Sequence, residues 1–210
     1  MMVSIDRLKR RKDGMIEVVS HGECVCLLDE ETLDQSGLDE GNLWDWEELW
    51  KLSLKAQERF AKRKALDLLS RRDYSMEELS RKLEQTVSRE VAERAACRMQ
   101  ELKLVDDQKY AERLARDLME RKCYAPSRAR RELIQKGIDR DMAHRAVEGV
   151  EYCPEQSIGR IVEKKYGGAI EDEKKLRRVF SALQRYGYNA YEIWPALRPF
   201  LQEGLSGDDS

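Results

Sequence analysis

An internal repeat constrains this chain more than any other feature. It begins near residue 60 and recurs at a spacing of 50 residues. At that offset Phe60 falls on Tyr110, Ala61 on Ala111, Ala65 on Ala115, Leu68 on Leu118 and Leu69 on Met119. Further along, Leu79 falls on Ala129 and Leu83 on Leu133, and after one inserted residue Val87-Ser88 meets Ile138-Asp139. A second shift of 50 residues sets Ala129 on Val179, Leu133 on Leu183, Gly137 on Gly187, Ile138 on Tyr188, Ala143 on Ile193 and Val147 on Leu197. Apolar positions agree while surface positions drift, the pattern of a repeated packing unit. The stretch YAPSRARRELIQKGID, residues 124–139, is therefore one copy of a module and not a lone basic helix.

Each module carries the punctuation of three helices. In the second, Asp106 or Asp107 is placed to cap a helix reaching about Lys122, with Tyr110, Ala111, Leu114, Ala115 and Leu118 along one face. Pro126 stands where a first helical turn tolerates proline. Gly137 is placed as the left-handed residue that closes the second helix. Asp139 then caps the third helix by accepting from its free backbone N–H groups, and Ser88 and Asn189 hold the same position in the other modules. Three helices this short bury little alone, so neighbouring modules are expected to stack into a continuous array. The third module departs from the pattern. KYGGAIEDEKK lengthens its first loop, and Pro195 predicts a kinked or shortened last helix.

Ahead of the repeat the pattern changes. VSIDRL, MIEVVS and ECVCLL are short Val/Ile-rich runs separated by KDG and HG, which predicts a three-stranded antiparallel meander with turns at Gly14 and Gly22. Three strands are marginal alone and need a helix to cover them. Leu43, Trp44, Trp46, Leu49, Trp50 and Leu54 follow at helical spacing, so packing against the meander is the first reading and an exposed aromatic platform for bases the second. The predicted class is mainly α. A meander and aromatic helix (1–59) precede three three-helix repeats (60–105, 106–150 and the divergent 151–204), and a disordered tail (205–210) follows.

Charge and chemistry narrow the function. Residues 1–60 hold 8 basic and 14 acidic side chains, whereas residues 61–150 hold 22 and 17. An acidic head on a mildly basic body suggests a polyanion or an acidic protein as partner of the body. Five scattered cysteines (Cys24, Cys26, Cys97, Cys123, Cys153) form no disulfide framework and no CxxC pair. Cys24 and Cys26 are expected to share one strand face. With only His21 and His144 in addition, no metal site is predicted. His21 falls in a hairpin turn and His144 in a helix. There is no phosphate-cradling glycine loop and no Ser/His/Asp arrangement, so no enzyme and no cofactor are predicted. Lacking an apolar signal core or an 18-residue apolar run, the chain is expected in a reducing cytoplasm.

Three ordered motifs point to a family. They are SRR-x-x-S-x-x-EL-x-x-KL at Ser70–Leu83, L-x-DD-x-x-YA at Leu104–Ala111 and Y-x-P-x-x-x-R-x-EL-x-x-KGI at Tyr124–Ile138. Over roughly residues 60–150 the chain resembles the bacterial RecX proteins, regulators of the RecA recombinase, and the third module resembles them more weakly. The resemblance implies an elongated, curved stack of three-helix modules lying along the groove of the RecA–single-stranded DNA filament. It also implies restraint of RecA's ATP hydrolysis and strand exchange in recombination, DNA repair and the SOS response. The amino-terminal meander looks like an extension that some members carry.

The partners implied are the RecA filament and single-stranded DNA, met directly or through the filament. No membrane is implied, and the chain is expected to be monomeric. Arginine suits both acidic protein and phosphate. The candidate contacts are Arg71, Arg72, Arg81 and Lys82 in the first module, and Arg121, Lys122, Arg128, Arg130, Arg131 and Lys136 in the second. Arg177, Arg178 and Arg185 follow in the third, and repetition at the module pitch would form a discontinuous basic track. The bland alternative is that each cation is a solvated side chain paired with a nearby acid. Two competing functions remain: a helical DNA-binding regulator acting without RecA, and a helical-repeat scaffold for another protein.

Overall fold

A computed structural model describes residues 1–202; the tail expected at 205–210 lies outside them. The chain divides into two compact units, Met1–Asp106 and Asp107–Ser210.

Unit 1 contains the strands. β2 (Arg7–Arg10), β3 (Met15–Ser20) and β4 (Glu23–Asp29) form the antiparallel meander. The first predicted run does not stay in one piece. β1 (Met2–Ser4) separates from β2 and pairs instead with β5 (Leu43–Asp45), as Val3↔Trp44. Ile5 explains the break: it is fully buried, its N–H donates to the Asn42 carbonyl, and its own carbonyl accepts from Gly41. The expectation for the two cysteines also fails. Val18 pairs with Cys26 and Val19 with Cys24, so Val25 is an extra residue, a bulge that turns Cys24 and Cys26 to opposite faces. Cys26 is buried and Cys24 exposed.

Between β4 and β5 lies the short helix α1 (Glu30–Ser36), capped by Asp29. The helix α2 (Trp46–Arg71) is continuous through residue 59 and serves two cores. Its amino-terminal half buries Leu49 and Ala56 against Ile5, Val18 and Leu28 of the strands. Its carboxy-terminal half buries Phe60, Ala61 and Ala65 against α3 (Met76–Leu83) and α4 (Arg89–Glu101). Trp44 is partly buried against the first core, whereas Trp46 and Trp50 stack on each other with centroids 5.9 Å apart. Core packing thus accounts for Trp44 and Leu49, while Trp50 is exposed.

Among the described residues unit 2 contains six α-helices in two threes: α5 (Asp107–Arg116), α6 (Pro126–Gln135) and α7 (Arg140–Glu148), then α8 (Pro154–Tyr166), α9 (Glu173–Arg185) and α10 (Ala190–Leu197). The helix expected to reach Lys122 is α-helical to Arg116 and closes as a π turn over Asp117–Arg121. Pro126 opens α6 as predicted. Asp139 caps α7 by accepting from Asp141 N and Met142 N at 2.9 and 3.2 Å. Asn189 forms a reciprocal capping box with Glu192. Ser88 occupies the equivalent position of α4, but its hydroxyl makes no capping bond; its N–H donates to Gln57 at 2.8 Å.

Gly137 and Gly187 take the predicted left-handed conformation, at φ 84° and 96°. The divergent loop of the third module is held by Ile170, which is fully buried and bonds through its N–H to the Phe200 carbonyl at 2.7 Å. α10 is eight residues long, contains Pro195 and gives way to a 3₁₀ turn at Arg198–Phe200.

Candidate interaction surface

Within unit 2 the start of α6 is fastened to the α9–α10 turn by four hydrogen bonds. Ala125 N donates to the Tyr186 carbonyl at 3.0 Å. The Ser127 hydroxyl donates to the Gly187 carbonyl at 2.8 Å, and the Tyr188 hydroxyl to the Cys123 carbonyl at the same distance. The fourth runs from the Arg128 guanidinium to the Arg185 carbonyl. Offset by 57 to 65 residues in sequence, these bonds join the second module to the third. They depend on proline and glycine placing the two turns side by side.

Cations and tyrosines gather around this joint. The Arg128 guanidinium lies 3.9 Å from the Tyr124 ring centre and 5.7 Å from that of Tyr186. Those two rings meet edge to face at 5.5 Å. Lys165 lies 5.0 Å from the Tyr186 ring centre and donates to its hydroxyl, and Arg178 lies 6.0 Å from the Tyr166 ring centre. Hydrogen bonding to Tyr186 holds the Lys165 ammonium above its usual range, so it is charged at neutral pH. Lys174, Arg178 and Arg185 recur at helical spacing along one exposed side of α9. One carboxylate, Glu132, answers Arg128 at 3.5 Å. A concentration of cations backed by π faces is suited to phosphate or carboxylate partners.

The structure sorts the predicted cations. Seven carry the local partner of the bland reading: Arg71–Asp67, Arg72–Glu78, Arg81–Glu77, Arg121–Asp117, Lys122–Asp117, Arg128–Glu132 and Arg177–Glu173. Lys82, Arg130, Arg131, Arg178 and Arg185 form no ion pair among the described residues. Lys136 lies just past α6 as its carboxy-terminal cap. Arg128 is built into the joint, so part of its charge is already committed to structure. Sequence reasoning missed Lys165 as well as the roles of Tyr124, Tyr166 and Tyr186. The only signal available was that these tyrosines stand at helix ends within the modules, which fits core packing equally well.

Other parts of unit 2 are unsuited to a polyanion. An open cleft of about 720 Å³ is lined by Glu120, Glu151 and Glu163 against a single arginine, Arg160. Beside it Tyr152 donates to Glu192 at 2.7 Å, and burial followed by that carboxylate pushes its phenol well above the ordinary range. Among the described residues no group of three or more His, Cys, Asp or Glu side chains is placed to hold a metal ion. Nor is any described helix long and apolar enough to cross a membrane.

The α5–α6–α7 module matches a known family across residues 106–147, described as RecX, second three-helix domain. Over that segment, about a fifth of the chain, the sequence is similar to RecX. A crystal structure of a regulatory protein RecX superimposes on 90% of this chain and 96% of its own with a TM-score of 0.56 at 20% identity. RecX from Lactobacillus salivarius covers 69% of this chain and 96% of its own, with a TM-score of 0.53 at 19% identity. At those identities the likeness is one of fold, and it extends beyond the matched RecX segment. No curated protein matches the sequence.

Proposed function

We propose that the chain is a regulator of the RecA recombinase, binding the RecA–single-stranded DNA filament and lowering its ATP hydrolysis and strand exchange. The similarity to RecX at residues 106–147 carries this reading. The three ordered sequence motifs and the tyrosine-backed cations of unit 2 support it. In this proposal Arg130, Arg131, Arg178 and Arg185 make the principal contacts, because no carboxylate of the described chain neutralises them. Arg128 positions the joint that presents them. The paired cations, Arg71, Arg72, Arg81, Arg121, Lys122 and Arg177, contribute less, since exchanging one carboxylate for another changes little free energy.

RecA's single-stranded-DNA-dependent ATP hydrolysis, titrated with this protein at two salt concentrations, tests the proposal. The expected result is dose-dependent loss of turnover that weakens as salt rises. Joint charge reversal of Arg130, Arg131, Arg178 and Arg185 is expected to remove the inhibition while the helical circular dichroism stays intact. Unchanged ATPase at excess protein, with duplex binding in the same buffer, would instead favour a DNA regulator that acts without RecA. Full inhibition by the folded reversal variant would remove the cation cluster from the mechanism.

A further inference from the structure

On the flank of α9 opposite Arg178, the third module carries aromatic side chains, of which Phe180 is partly buried against its core. Phe180 on α9 and Trp194 on α10 meet with ring centres 5.1 Å apart and planes tilted by 44°. Trp194 is 48% exposed, and Tyr191, one helical turn before it, is 91% exposed. Arg177 and Gln184 flank Phe180 along α9, and Arg198 follows Trp194 by one turn. Arg198 has no ion pair among the described residues. On α10 the nearest carboxylate, Glu192, is engaged by the cap of its own helix and by the Tyr152 hydroxyl.

The repeat supplies an internal reference for what packing requires. At the 50-residue offset, the positions of Arg177, Phe180, Tyr191, Trp194 and Arg198 are held in the second module by Ser127, Arg130, Asp141, His144 and Glu148. There His144 pairs with Glu148 at 2.9 Å on an ordinary polar helix face. Both modules bury the same core positions, Ala129, Leu133, Ala143 and Val147 against Val179, Leu183, Ile193 and Leu197. Aromatic residues on this flank are thus not a requirement of the three-helix fold. Relative to its sibling, the third module has replaced two acids with tyrosine and arginine, a serine with arginine, and two further polar residues with aromatic rings.

We infer that Tyr191 and Trp194, the latter backed by Phe180, form a stacking platform for unpaired bases of single-stranded DNA, with Arg198 engaging an adjacent phosphate. Flat rings offer every base a π face, and neighbouring cations track the backbone that joins the bases. A purely apolar protein partner would not use the gain of Arg198 or the loss of both acids, whereas Arg177 is already paired with Glu173. The inference rests on the filament reading for its choice of DNA as the strand. It adds a contact made by the chain itself, away from the cation cluster at the module joint.

Binding of the full-length protein to fluorescent oligothymidylate, and to the same oligonucleotide made abasic, tests this without RecA. Tyr191→Gln and Trp194→Gln are compared with wild type by anisotropy. Each variant is expected to lose roughly tenfold in affinity for oligothymidylate, the effect of one stacked base. Wild type is expected to bind the abasic strand at least as weakly as the single variants bind the thymidylate, since every stacked base is lost. Tyr191 is almost fully exposed, so its substitution separates lost stacking from lost folding. Equal affinity of wild type for the two strands would overturn the platform, as would unchanged binding by Tyr191→Gln. A shift to a dimer that both substitutions abolish, without DNA binding, would overturn it in favour of a second copy of the chain. ATPase inhibition, measured in parallel, reports on the filament proposal separately. Its presence with no stacking effect sinks only the platform, and its absence sinks only the RecA reading.

Discussion

Substituting Gly187 with alanine tests the joint between the second and third modules directly. A Cβ at this position would stand 2.8 Å from the Arg128 Cβ, 2.9 Å from the Ser127 hydroxyl and 3.2 Å from the Arg128 backbone nitrogen. The residue also has φ 96°, a conformation that costs an L side chain about 1–2 kcal/mol. Forcing a methyl into packed surroundings adds about 1–3 kcal/mol. Together the loss is about 2–5 kcal/mol, a large share of the stability of an ordinary domain. Gly167→Ala is the matched control in the same unit: φ is 76°, and nothing lies within 4 Å of the added Cβ. It should lose only the conformational part, about 1–2 kcal/mol.

Urea unfolding followed by far-ultraviolet circular dichroism measures both variants. With a urea slope of about 2 kcal/mol/M, the Gly187→Ala midpoint should fall by about 1–2.5 M and the control by less than about 1 M. Equal losses for the two variants would refute the close approach of α6 to the α9–α10 turn. Every contact argued from that joint would then need revision, including the placement of Arg128 between the tyrosines.

Three further outcomes are expected. Tyr188→Phe should cost about 1–3 kcal/mol in the same assay, because the Cys123 carbonyl loses a buried donor now 2.8 Å away. Asp29 should make unit 1 acid-sensitive: burial acts to raise its carboxyl, but hydrogen bonds from Thr32 and the Arg59 guanidinium outweigh it and hold it below the usual range. A depressed folded value means that this stabilisation is present above the unfolded carboxyl pKa of about 3.9 and is lost as pH falls through the folded one. Asp29→Asn should flatten that acid limb of the stability profile, and an unchanged limb would assign it to other carboxylates. For the thiols, burial pushes Cys26 up to about 12, so a thiol reagent at pH 8 should label exposed Cys97 in the native protein and Cys26 only after unfolding.

The sequence by itself determined the modules. Apolar positions recurring at the same offset, with Pro126, Gly137, Asp139 and their counterparts as punctuation, encode helices through local rules: caps, breakers and amphipathic period. Those rules act over a few residues and can be read without a partner in space. The three-stranded meander was legible for the same reason. The strand β1 was not, because its exchange of partners depends on Ile5 reaching a core built by Leu28, Leu38 and Leu49. The bulge at Val25 escaped as well, since one extra residue leaves the alternating composition unchanged while sending the two cysteines to opposite faces.

For the candidate surface the division is sharper. Sequence located the basic stretches but treated their cations alike. Only the tertiary structure separated Arg128, held between Tyr124, Tyr186 and a carbonyl of the next module, from Arg130 and Arg131 beside it. It alone brought Lys165 and Arg178 to the same joint and set Trp194 against Phe180. The physical reason is that charge and aromaticity are properties of residues, whereas availability is a property of neighbours. Most of those neighbours are supplied by segments 12 to 65 residues away in sequence, and no local pattern specifies them.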